Sequence, residues 1–232
     1  MPAKKLPDTD EERIKALQTI IDLEENEKGK NALSIREIHD LKSFLLAYDR
    51  LHTRVKQALV DESTAEKNCV NLLQNARLYI SHFIQVLYLA TVRNEVKADS
   101  LTYYGLDYND DFALPDLSTE ESVVEWGERL INGEAERTSR GGAPIYNPTI
   151  TKVRVHYDLY KEVSYSLKIY RQNTKRSLEN IASVHDKADN LIWTAWTKIE
   201  FAYGSLPSEE RDRKYDEYGI QFYYQTEDNT CI

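Results

Sequence analysis

Two stretches of this chain set apolar residues at alternating steps of three and four, from Ile38 to Ala90 and again from Ile150 to Ala202. The first row passes through Leu41, Leu45, Tyr48, His52, Val55, Cys69, Ala76, Ile80, Phe83 and Leu87; thirteen of its sixteen positions are apolar, where the overall 41% would give six or seven. The second passes through Val153, Tyr157, Tyr160, Leu167, Ile181, His185, Ala188, Ile192 and Ile199, with twelve of sixteen apolar. A period of 3.5 puts such a row along one side of a helix, as in coiled-coil seams. Each large aliphatic or aromatic side chain buried along it contributes about 1.5–3 kcal/mol, more than helix propensity can. With only 8 Gly and 6 Pro, the chain favours long elements over a turn-rich β fold. The fold class predicted is all-α.

Both seams carry a polar interruption. Asp61–Asn68 holds only Ala65 as an apolar residue, and Ser63 with Glu66 reads as a capping box at a new helix start. Arg171–Ser177 offers Asn173 or Thr174 as an N-cap. The pattern therefore predicts two helical hairpins, 34–60 with 63–97 and 149–172 with 174–204, packed as an up-and-down four-helix bundle that buries both seams without a partner. Ser34 with Glu37 caps the first helix. The alternative is two unbroken helices, each about 90 Å long at 1.5 Å per residue. The absence of Gly and Pro from both interruptions supports it.

The halves 34–108 and 149–224 read as an internal duplication within a single domain, 1–232, with 109–148 as a connecting segment. Their seams start 112 residues apart (150 − 38), which is sixteen heptads, so shared phase alone proves little. The order of landmarks says more: seam, polar break, second seam, then Tyr104-Gly105-Leu106 in one half and Tyr218-Gly219-Ile220 in the other. Around these lie accessory short helices. One spans 9–28, with acidic residues in its first turn and Gly29 as its stop. Another follows a Ser118–Glu121 capping box and ends at Gly141-Gly142, and a third follows Pro207. Pro144 and Pro148 keep 143–150 extended; this piece and the apolar run Ile220–Tyr224 are expected to pair as a small extended cap.

The net charge of −9 excludes a general nucleic-acid binder, which needs basic surface to displace counterions. It also disfavours adsorption to anionic membranes, and no run of about eighteen apolar residues exists to span one. Cys69 and Cys231 are too few for a disulfide framework, and the stretch "MPAKKLPDTDEER" has no apolar h-region. The expected location is the cytoplasm.

The stretches "HFIQVLYLATVRNEV" (82–96), "YYGL" (103–106), "LPDLSTEESVVEWGERLINGE" (114–134) and "GGAPIYNPTI" (141–150) resemble a family of uncharacterised helical-bundle proteins encoded by gut bacteria of the Bacteroidota type. The resemblance extends over most of the chain. It implies a helical fold and assigns no activity, cofactor or catalytic residue.

Candidate sites are sparse. Carboxylate-bridged metals in four-helix bundles need Glu-x-x-His on two helices, and none occurs here. The nearest elements are Asp49 with His52 on the first seam, and His185 on the second. Cys69 lies among apolar neighbours, where a thiol is inert. No Gly-x-Ser-x-Gly, phosphate-binding loop or dinucleotide fingerprint is present. The tyrosines that close the two halves, Tyr103, Tyr104, Tyr108, Tyr218, Tyr223 and Tyr224, could form an aromatic recognition cluster or cover the open end of the bundle. The expected function is a non-enzymatic structural or protein-interaction protein, without cofactor, that pairs with itself or another protein. The alternative is a small-ligand- or metal-binding bundle using His52, His185 and the tyrosines.

Overall fold

A computed structural model describes residues 3–26, 31–107 and 113–223, and the chain is all-α apart from one two-stranded sheet. In order come β1 (Ala3–Lys5), α1 (Asp10–Asn26), α2 (Ile35–Val92), a 3-10 helix (Ala98–Tyr104), α3 (Glu120–Ser139), α4 (Ile150–Ala182), α5 (His185–Tyr203), α6 (Ser208–Glu217) and β2 (Gln221–Tyr223). Among the described residues no helix is long and apolar enough to cross a membrane.

The two-hairpin construction does not hold. The helix α2 runs unbroken for 58 residues straight through Asp61–Asn68, and α4 continues through Arg171–Ser177 to Ala182. The polar residues that read as turns are instead bonded across helices. Thr174 donates its hydroxyl to the Ala58 carbonyl at 3.2 Å, and Arg171 reaches Glu66 at 2.8 Å and Glu62 at 3.8 Å. Ser63 is no cap, and Thr64 donates to the Val60 carbonyl at 2.8 Å, a bond a helix interior accommodates. The chain breaks later, at Ser183–Val184. There the Ser183 hydroxyl takes the Asn180 carbonyl at 2.7 Å, and Asp186 sits in the first turn of the helix that restarts.

Of the predicted caps, only the Ser34–Glu37 box is found as expected. The Ser34 hydroxyl accepts the Glu37 N–H at 3.3 Å while Glu37 accepts the Ser34 N–H at 2.9 Å. At α1, Thr9 and Glu12 make the same reciprocal pair. For α3 the cap is Thr119, which accepts the Ser122 N–H at 3.1 Å, because Ser118 is already tied to Asp116. Gly29, the expected stop of α1, lies outside the described residues.

The chain divides into two compact units, one from residues 1–58 and 174–232, the other from 59–173. In the first, Leu17, Ile20 and Ile21 of α1 pack with Ile192, Trp196 and Ile199 of α5 and with Ile38 and Leu41 of α2. A smaller cluster joins Tyr48 and Val55 to Ile181 and Ala188. In the second unit, Ala76, Ile80, Phe83 and Leu87 of α2 pack with Val123 and Leu130 of α3 and Val153, Tyr160 and Leu167 of α4. Apart from Trp196, the α2, α4 and α5 residues named here are seam positions, so much of each seam does form core; Leu59 and Leu178, also on the seams, are 48% and 45% exposed.

The expected cap is also rearranged. The sheet pairs β1 with β2 antiparallel, Lys4 opposite Phe222, and 143–149 forms no strand. Prolines 144 and 148 lack the N–H a ladder needs, and the Ile145 N–H is taken by the Glu134 carboxylate at 2.9 Å.

One surface pair carries a pH dependence. The Lys198 ammonium, followed by the Ser34 N–H and hydroxyl, pulls the Glu37 carboxyl from its ordinary 4.5 down to about 2. A depressed folded value means the stabilisation is present above 4.5 and is lost as pH falls toward 2. Because both groups are more than a third exposed, screening limits the effect to under about 1 kcal/mol. Across pH 4.5 to 2, Glu37→Gln should therefore lose less stability than the parent in urea titrations. Parallel curves would refute the assignment.

Candidate functional site

A gathering of ionisable side chains in the first unit surrounds the first turn of α1. That turn begins Asp10-Glu11-Glu12-Arg13, acidic as helix N-termini favour. From α2, Tyr48 donates its hydroxyl to Asp10 Oδ1 at 2.6 Å. From α5, His185 Nε2 approaches the same oxygen to 2.7 Å, off the axis a hydrogen bond needs. Arg13, whose Nη1 lies 4.0 Å from the same Asp10 oxygen, grips Asp189 with both Nε and Nη2, at 2.7 and 3.1 Å. His52 Nε2 stands 4.0 Å from Glu11 Oε1, which Lys56 also holds at 2.7 Å.

The electrostatics follow from those contacts. Burial, reinforced by Asp10, pushes the Tyr48 phenol well above its ordinary range, so it stays a donor. The bond to Asp189 raises Arg13 further, and Lys56 holds the Glu11 carboxyl below its ordinary value. The result is a row of ion pairs and hydrogen bonds that fastens α1 to α2 and α5.

His52 and His185 are thus both brought to α1, but to different carboxylates, Glu11 and Asp10. Asp49 is exposed. Among the described residues, no group of three or more His, Cys, Asp and Glu is placed to hold a metal ion.

The tyrosines separate. Tyr104 and Tyr218 are each fully buried, in the cores of different units; both serve packing, because each phenol has a buried carboxylate to bond. Tyr104 donates to Glu134, and Arg137 donates from Nε to the phenol oxygen at 2.7 Å and from Nη2 to Glu134 at 2.9–3.0 Å. Tyr218 donates to Glu24 at 2.9 Å. Burial first drives both phenols far above their ordinary range; the bond to Glu134 comes next for Tyr104, and the bonds with Tyr203 and then Glu24 for Tyr218. Tyr103 is half-buried beneath the Arg140 guanidinium, 5.0 Å from its ring, and Tyr223 is exposed on β2. Tyr108 and Tyr224 lie outside the described residues, as does Cys231. Cys69 is buried, and burial raises its thiol.

The residues that sequence reasoning missed are Glu24, Glu134 and Arg137. A signal was available: Val123, Gly127, Leu130, Glu134 and Arg137 continue one stripe in steps of four and three. Charges in phase with an apolar stripe need each other or a neighbouring hydroxyl.

No family model, curated protein or solved structure matches this chain.

Proposed function

We propose that the protein is a non-enzymatic helical protein of the cytoplasm that acts through protein interaction, self-association included, and that the outer face of α4 is its docking surface. The observation that carries this reading is a row of apolar side chains along the outer face of α4, of which Val163 also packs against the core. Val155, Leu159, Val163 and Tyr170 follow one another at helical spacing, with Val155 50% and Leu159 43% exposed. Val163, Ser166 and Tyr170 line one side of a groove of about 430 Å³ whose other side is Asp61, Thr64, Ala65 and Asn68 of α2. Scattered apolar residues are normal on a surface; a continuous row beside a groove suits the apolar face of a partner helix. The ionic row on α1 fits the same reading, since its groups are spent on fastening helices together.

Light scattering over a wide concentration range, together with affinity capture, tests this. The parent should associate or capture a defined partner. Leu159→Glu should weaken that association at least about tenfold, as loss of one buried anchor does, without changing the melting temperature. A parent that stays monomeric at every concentration and captures nothing would end the proposal.

A further inference from the structure

We infer that the chain is one structural module written twice, and that the corner tyrosine of each copy is made to receive the buried glutamate of the other. Heptad phase does not decide this, because seams of equal period align by construction. Polar contacts off that period do. Thr9 opens α1 and Thr119 opens α3, each accepting the N–H three residues on. The next residue is an acid that accepts the phenol of a seam tyrosine: Asp10 from Tyr48 at 2.6 Å, Glu120 from Tyr160 at 3.0 Å. Near the end of the same helix a fully buried glutamate, Glu24 or Glu134, accepts an N–H from the following loop, Leu33 at 3.0 Å or Ile145 at 2.9 Å. That glutamate also accepts the phenol of Tyr218 or Tyr104.

The two phenols stand at matching corners. Gly105 and Gly219 follow them with φ of 68° and 73°, a left-handed conformation that favours glycine. Each glycine N–H returns to the carbonyl three residues back. The next N–H, of Leu106 or Ile220, returns to the carbonyl five back, at Leu101 or Tyr215. This is the Schellman closure of a helix end. Four polar features thus recur in the same order, from Thr9 to Leu106 and from Thr119 to Ile220.

The bonds also show how the copies combine. Tyr48 with Asp10 and Tyr160 with Glu120 join residues of one copy. Tyr104 with Glu134 and Tyr218 with Glu24 join residues of different copies, one in each direction. Each compact unit accordingly takes the first part of one copy and the last part of the other.

The copies differ in a way that makes them specific for one another. Gly133 lies so close to Tyr104 that a Cβ there would stand 2.6 Å from the ring and 2.7 Å from the Tyr103 carbonyl. At the matching place α1 has Leu23, one residue before Glu24. Facing Tyr104, α1 would clash where α3 fits. The partner of the first copy is therefore the second copy, and not another molecule of the first.

A protease site placed between Asp107 and Ala113 of the full chain tests this. Cut under native conditions, the two pieces should stay together as one particle of 27.0 kDa. Separated in denaturant and refolded, they should regain native helicity only when mixed. Pieces that part on cutting, or either piece alone returning to a native-like homodimer, would overturn the inference. Tyr104→Phe in the uncut chain gives an independent readout. Loss of a bond to a charged group should speed amide exchange in α3, which belongs to the other copy, by about tenfold or more. Acceleration confined to 98–107 would likewise overturn it.

Discussion

Glu134→Ala should destabilise the protein by about 3–5 kcal/mol, the cost of leaving a buried charge without its partner. Glu134 is 1% and Arg137 5% exposed. The carboxylate accepts from Arg137 Nε and Nη2, from the Tyr104 phenol and from the Ile145 N–H. Removing it strands a guanidinium in the core, leaving it only the Tyr104 oxygen and the Ala143 carbonyl at 2.7 Å. In a chain of this length, each kcal/mol moves the melting temperature by about 2–4 °C, so the expected fall is roughly 6–20 °C. Glu134→Gln should fall between, since an amide oxygen still accepts the Ile145 N–H while the ion pair is lost. The control is Glu136→Ala, which removes an exposed partner of Arg140 and should cost under about 0.5 kcal/mol. Equal losses at positions 134 and 136 would show that the buried network is not a keystone of this unit.

That network explains much of what the sequence conveys and conceals. The seams were legible because a period of 3.5 sustained from Ile38 to Ala90 has no other economical use, and most of those residues do fill the cores, Leu59 being the exposed apolar exception. The Ser34–Glu37 cap was legible because capping is settled within one helical turn. The interruptions misled because a polar run looks the same whether it faces water in a turn or a polar partner on another helix. Arg171 and Glu66 are 105 positions apart, and no local rule connects them. The partner of β2 was hidden for the same reason, being three residues at the far end of the chain. At the candidate sites, Tyr104-Gly105 and Tyr218-Gly219 stood out as matching corners, yet their carboxylates did not. Glu24 and Glu134 stand in phase with the apolar stripes of their helices, but the tyrosines they bond return from far along the chain, where no local rule connects them.

Lys67→Pro should cost about 3 kcal/mol or more, the penalty of proline inside a helix, and lower the melting temperature by roughly 6–12 °C. Lys67 is exposed in the middle of α2, so no core contact is lost and the effect isolates the backbone. Proline at 67 removes the N–H that bonds the carbonyl four residues back and drives its ring against that carbonyl. Lys67→Ala, which keeps the N–H, should change stability by under about 0.5 kcal/mol. A turn spanning Asp61–Asn68 makes the opposite forecast, since proline is tolerated or even favoured in turns. The sign of the result therefore separates the two architectures that the polar run allows. A proline variant as stable as the alanine one would mean that the helix ends near Asp61. An unbroken α2 matters beyond its own stability: the Thr174 hydroxyl meets Ala58 on one side of Asp61–Asn68, and Arg171 meets Glu66 within it. Proline at 67 should weaken both, and hydrogen exchange along α4 from Arg171 to Ser177 should rise with that of α2.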